Sequence, residues 1–127
     1  MARLAIIDDE EGIRDVLTGL LEQAGHDIVA FADGAEALEA LNLEKADLVI
    51  TDLVMTTPGE KVIESLRSSG SDVPIVVVSG YLEDRDLQHL MDLGATRCYQ
   101  KPIQPAGFLA VIDLLLPSAG EAENPPA

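Results

Sequence analysis

The chain has 127 residues, enough for one domain and too few for two of ordinary size. It is 47% hydrophobic and 24% charged, so a packed core is expected and wholesale disorder is not. Basic residues number 8 against 23 acidic ones, a formal net charge of −15, which argues against gripping nucleic acid or docking on an anionic membrane through this domain.

The N-terminus has no basic stretch followed by an apolar region and a cleavage site, so no signal peptide is expected. No apolar run is long enough to span a bilayer. The first apolar run, Arg3 to Ile7, predicts a strand ending at Asp8, Asp9, Glu10 and Glu11. Ile13, Val16, Leu17, Leu20 and Leu21 recur at helical spacing and predict one buried face. Gly25 closes that helix, and His26 behind it reads as an exposed turn residue. Asp27 to Phe31 predicts a second strand, and Asp33-Gly34 opens a short helix carrying Ala37, Leu38 and Leu41. The third strand, Asp47 to Thr51, ends at Asp52. Pro58-Gly59 precedes a helix with Val62, Ile63 and Leu66.

Pro74 to Val78 is β-branched and apolar, as a strand buried on both faces should be, and ends at Ser79-Gly80. A helix over 83–93 follows, with His89 read as a surface or partner contact. A short strand over 96–99 contains Cys98, read as a small buried apolar residue. A lone cysteine allows no intramolecular disulfide, and with 2 histidines it argues against a zinc ligand set, so a reducing, cytoplasmic setting is expected. Lys101-Pro102 ends the strand. The last helix, over 105–116, is apolar on nearly all sides, with Asp113 its one charge. That predicts a covered surface: a deeper core, a folded-back tail, or a homodimer face including this helix. Residues 117–127 lack apolar periodicity and read as a disordered tail or the start of a linker.

Five βα units in a row predict an α/β domain over residues 1–116: a doubly wound, parallel five-stranded sheet with helices on both faces. Ligands of such sheets bind beyond the carboxyl ends of the strands, where the polar residues of this chain collect. Asp8 and Asp9 follow the first strand, Asp52 the third, Ser79 the fourth and Lys101 the fifth. Each alone has an ordinary reading as a cap, a turn residue or a solvated charge. Three carboxylates brought together repel one another, and a hard divalent cation such as Mg²⁺ relieves that repulsion. Lys101 adds a fixed positive charge and Ser79 a hydroxyl, which together suit a phosphoryl group.

In this order and spacing the residues resemble a bacterial response-regulator receiver domain. The carrying segments are Asp8-Asp9, Thr51-Asp52-Leu53-Val54-Met55, Val76-Val77-Val78-Ser79-Gly80 and Gln100-Lys101-Pro102, and the likeness covers residues 3–116. The resemblance implies a flavodoxin-like strand order of 2-1-3-4-5. It implies that Asp52 is the phosphoacceptor, that Asp9 ligates Mg²⁺ directly, that Asp8 reaches it through water, and that Val54 lends a backbone carbonyl. It implies that Ser79 and Lys101 bind phosphoryl oxygens and that Lys101-Pro102 is a candidate cis peptide. The implied partner is a histidine kinase or a histidine phosphotransfer protein, and the implied chemistry is one transfer rather than enzymatic turnover.

The sequence departs from the family pattern in two places. The Pro-Gly-Met-Asp-Gly type segment that usually follows the acceptor's Met is absent: Met55 is followed by Thr56, Thr57, Pro58, Gly59 and Glu60, and the loop is expected to be altered and a residue shorter. The aromatic switch position is Cys98, and the adjacent Tyr99 is expected on the opposite face of its strand. The usual aromatic switch is therefore expected to be absent. The resemblance implies that Val54 and Tyr81, two beyond the acceptor and two beyond the hydroxyl, influence phosphoryl lifetime; neither carries a group suited to orient water, so slow self-hydrolysis is expected. Gly80 is expected to leave the site open to a donor. No output domain lies in the 127 residues, which fits a stand-alone regulator or the first part of a longer protein. Other readings are a docking module that needs no phosphorylation, a phosphatase, or a nucleotide- or flavin-binding protein. A Walker loop is absent, Val54 is not an acid, and 3% aromatic residues offer few rings for a flavin.

Overall fold

The alternation of apolar runs and amphipathic stretches sets the architecture, described for residues 2–43, 45–80 and 82–116 in a computed structural model. In chain order the elements are β1 (Arg3–Ile7), α1 (Glu11–Gln23), β2 (Asp27–Phe31), α2 (Gly34–Leu43), β3 (Leu48–Thr51), α3 (Gly59–Ser68), β4 (Ile75–Ser79), α4 (Asp84–Leu93), β5 (Arg97–Gln100) and α5 (Pro105–Leu115). The predicted elements are all present, and three strand starts move by one residue. The expected tail, 117–127, lies outside the described residues, as does Tyr81.

The strands form one parallel sheet in the order β2-β1-β3-β4-β5. After β2 the chain crosses back over β1 to lay down β3, so the order reverses between β1 and β3. In register, Ile7 stands beside Phe31 on one side and Thr51 on the other, and Thr51 stands beside Val77. The residues just past these positions therefore emerge together at one edge of the sheet.

Strand side chains alternate between two cores. Leu4, Ile6, Leu48, Ile50, Val76 and Val78 pack with Leu17 and Leu21 of α1 and with Phe108 and Ile112 of α5. Ala5, Ile7, Val49, Ile75 and Val77 face α2, α3 and α4 through Ala37, Val62, Ile63 and Leu90. The three middle strands are buried on both faces, which is why they read as continuous apolar runs. Each fully buried aliphatic side chain contributes roughly 1.5–3 kcal/mol.

Two expectations are corrected here. Val16 is 64% exposed. The buried line of α1 runs through Leu17 and Leu21 with Ile13 and Leu20 half-buried beside it, and Val16 sits about 100° around the helix from Leu17. His26 is half-buried rather than exposed, because α5 packs against the end of α1 and brings Asp113 Oδ1 to 3.5 Å from His26 Nε2. Most of the apolar surface of α5 is used by the core: Phe108 and Ile112 are buried, and Leu109, Val111 and Leu115 are half-buried. Leu114 stands out at 82% exposure. Among the described residues no helix is long and apolar enough to cross a membrane.

Ile63→Ala is expected to lower unfolding free energy by about 2–5 kcal/mol, since it opens a cavity between α3 and the sheet. Leu114→Ala should change it by less than about 0.5 kcal/mol. Urea unfolding of the two variants beside wild type checks both.

Candidate functional site

The carboxyl edge of the sheet gathers the acids that the sequence separates by more than forty positions. Asp8 follows β1 directly, and its backbone N–H donates to the Phe31 carbonyl at 3.1 Å, continuing the ladder one step. Asp52 does the same after β3, donating to the Ile7 carbonyl at 2.9 Å. Both side chains are therefore fixed by strand register, and both residues are buried. Asp9 and Glu10 lie beside them and are exposed. One carboxylate oxygen from each of Asp8, Asp9, Glu10 and Asp52 lies within 4.8 Å of the others.

Lys101 enters from the end of β5. Its backbone N–H donates to the Ser79 carbonyl at 2.7 Å, and its peptide bond to Pro102 is cis, as the sequence suggested. The ammonium donates to Asp8 Oδ2 at 2.9 Å, to Asp52 Oδ2 at 3.3 Å and to Glu10 Oε1 at 3.4 Å. Asp52 Oδ1 accepts the Leu53 N–H at 2.7 Å. Ser79 is buried at the end of β4, next to Gly80, where an added Cβ would meet nothing within 4 Å.

These contacts set the protonation tendencies. Burial, with the charge of Asp8 behind it, pushes the Asp52 carboxyl above its ordinary value, while the Leu53 N–H and Lys101 pull the other way. Burial alone would lower the Lys101 ammonium, but its bond to Asp8 and the charge of Asp52 outweigh that and raise it. The result is an ammonium held charged against carboxylates that resist sharing one small volume. An all-oxygen donor set of this size suits a hard dication that keeps some of its waters, so Asp8, Asp9 and Asp52 fit Mg²⁺.

The site residues named from sequence divide plainly. Asp8, Asp9, Asp52 and Lys101 are brought together. Ser79 joins them through the backbone of β4 and β5. Val54 lies two residues past Asp52 with 78% of its surface exposed. Cys98 is half-buried and packs on the α2–α3–α4 side. Tyr99 packs on the other side, edge-on to Phe108 with ring centroids 5.7 Å apart, so its ring does not stand in place of Cys98. Glu10 and Arg14 were missed. Glu10 belongs to the acid cluster, and Arg14 Nη1 donates to the Asp8 carbonyl at 2.7 Å. Glu10 adjoins the Asp pair and Arg14 is one helical turn further on, and that spacing was the available signal.

Comparison with known proteins agrees with this geometry. The family model described as "Response regulator receiver domain" matches residues 4–113. The chain is 34% identical over 123 residues to a probable transcriptional regulator, ycf27, of Porphyridium aerugineum, covering 96% of this chain and 51% of that protein. It is 31% identical to the alkaline phosphatase synthesis transcriptional regulatory protein PhoP of Bacillus subtilis, covering 90% of this chain and 48% of PhoP. The chain thus spans about half the length of these relatives. Among solved structures it is similar to chemotaxis protein CheY4 of Vibrio cholerae, at TM-score 0.86 and 27% identity over 91% of this chain and 99% of CheY4. It is also similar to the BeF3-activated N-terminal receiver domain of Klebsiella pneumoniae RstA, at TM-score 0.85 and 25% identity over 91% and 99% of the two chains.

The raised Asp52 value gives a pH test. An acid that holds its proton more tightly when folded weakens the fold at neutral pH, and the penalty fades as pH falls through the raised value. With chelator present, Asp52→Asn is expected to raise the urea midpoint at about pH 7, and the gain should shrink as pH falls toward about 4. A gain that stays constant with pH would contradict it.

Proposed function

Because the chain belongs to the response-regulator receiver family, we propose that Asp52 accepts a phosphoryl group from a phosphohistidine of a sensor kinase or phosphotransfer protein, and that changed protein contacts carry the signal. The observation that carries this reading is the buried Asp52 carboxylate, held between the Lys101 ammonium and the acid cluster at the sheet edge.

The Leu53 N–H holds one Asp52 oxygen and leaves the other beside Lys101. A carboxylate oxygen of Asp52 attacks phosphorus. The P–N bond to the partner's imidazole breaks with its electron pair leaving on nitrogen, and a P–O bond forms to give an acyl phosphate. Lys101 offsets charge on one phosphoryl oxygen and the Ser79 hydroxyl donates a hydrogen bond to another. Asp8, Asp9, Asp52 and the Val54 carbonyl would hold Mg²⁺, which supplies positive charge for the incoming phosphoryl oxygens when bound. Water later hydrolyses the acyl phosphate, so the protein is modified and restored rather than turning over a substrate.

The lifetime of that state is set by what surrounds Asp52. Val54 and Tyr81 offer no acid or amide to orient a water, although Tyr81 lies outside the described residues. Gly80 leaves room for the donor. With Cys98 on the α4 side and Tyr99 tied to Phe108, the output passes through loop motion without an aromatic swing. The exposed Leu114 of α5 fits a homodimer face. Residues 1–116 act as the receiver in the cytoplasm, and any contact with DNA belongs to sequence beyond this domain, given the charge of −15.

Acetyl phosphate with Mg²⁺ is expected to add one phosphoryl group by intact mass. The addition should need Mg²⁺, vanish in Asp52→Asn and slow by more than about tenfold in Lys101→Ala. No addition, even from a phosphohistidine donor, would favour a docking module that works without phosphorylation. Val54→Asn is expected to speed loss of the acyl phosphate by a few-fold, read from the decay of the added mass.

A further inference from the structure

The segment joining β3 to α3 is where this chain departs from the family pattern, and its hydrogen bonds show what holds it. Residues 53–59 form a closed loop, because the Gly59 N–H donates to the Leu53 carbonyl at 3.0 Å. Gly59 admits no side chain there, since a Cβ would collide with the Asp52 carbonyl oxygen. On the far side of the loop, the Thr57 N–H donates to Asp33 Oδ1 at 2.7 Å. Asp33 lies 24 positions earlier, between β2 and α2. Its other oxygen, Oδ2, accepts the Ala35 N–H at 3.1 Å in the first turn of α2. Gly34 next to it brings the α2 backbone against the loop, so close that a Cβ would lie 2.6 Å from Val62 Cγ2 and 3.1 Å from the Thr57 carbonyl. The carboxyl of Asp33 is held below its ordinary value, first by the Thr57 N–H and then by the Thr57 hydroxyl, so it stays ionised and accepting at neutral pH.

We propose that Asp33 is a positioning residue for the phosphoacceptor site: by accepting the Thr57 N–H it fixes the loop on which Val54 lies, two residues past Asp52. This rests on the reading that a dication sits among Asp8, Asp9, Asp52 and the Val54 carbonyl. The loop is pinned at its neck by Leu53 and Gly59 and at one further point by Asp33, with Val54 between the two. Leu53 and Met55 also pack their side chains on the core, so the Thr57 N–H tie is a second backbone pin, holding the stretch between Met55 and Gly59. The plainer role of Asp33, capping α2, uses the other oxygen, so the two roles are separable. Serine is a good cap but has a single oxygen. Asp33→Ser therefore keeps the α2 cap and removes the tie to Thr57.

The test measures Mn²⁺ binding to the full chain by electron paramagnetic resonance of the free ion, as an oxygen-seeking stand-in for Mg²⁺. Amide exchange at Val54, Met55 and Thr57 is followed by NMR. Asp9→Ala defines the loss of the site itself. Asp33→Ser is expected to weaken Mn²⁺ by about tenfold, with a urea midpoint near wild type and faster exchange confined to the loop. Asp33→Ala should weaken it equally while also losing stability. Wild-type affinity and exchange in Asp33→Ser, with binding abolished in Asp9→Ala, would leave Asp33 a cap alone and overturn the proposal. Binding by wild type no tighter than by Asp9→Ala would instead overturn the metal reading on which it rests.

Discussion

The ammonium of Lys101 lies between two carboxylates that a folded chain would otherwise struggle to hold together. Asp8 and Asp52 are buried side by side because the register of β1 and β3 places them so. Their mutual repulsion in a partly desolvated volume works against folding. Lys101 answers it from a third strand, and only the pairing of β5 with β4 brings the ammonium into reach. The electrostatics at the sheet edge thus depend on apolar packing further down, where the two cores lock the strands in register. A site of this kind needs rigid support from elements that touch no ligand themselves.

The fold was legible because its signals are local and redundant. Val76, Val77 and Val78 announce a strand buried on both faces, and the acid and hydroxyl positions each follow an apolar run, while the lysine follows a short mixed strand. Strand order came from family likeness and not from the pattern, since parallel crossovers leave no mark on periodicity. Val16 was misjudged because a helix wheel alone does not say how wide the buried stripe is. His26 was misjudged because its environment is made by α5, more than eighty residues later.

Within the site, the paired acids and the lysine could be read from position. The part played by Glu10 had only a weak signal, its place next to the Asp pair, because a third acid there also reads as an ordinary helix start. Asp33 was visible only as the opener of α2, since one of its oxygens does what such a residue does anywhere. The second oxygen makes a contact across 24 positions, and nothing in the local sequence encodes it.

Cys98 and Tyr99 are neighbours in the chain but belong to different packing units. One is judged by what fits against α2, α3 and α4, the other by what fits against Phe108. The sheet between them is a partition, so a change of size on one side need not be matched on the other. Enlarging the residue at 98 therefore presses on the helices of one face and leaves the Tyr99–Phe108 contact on the other untouched.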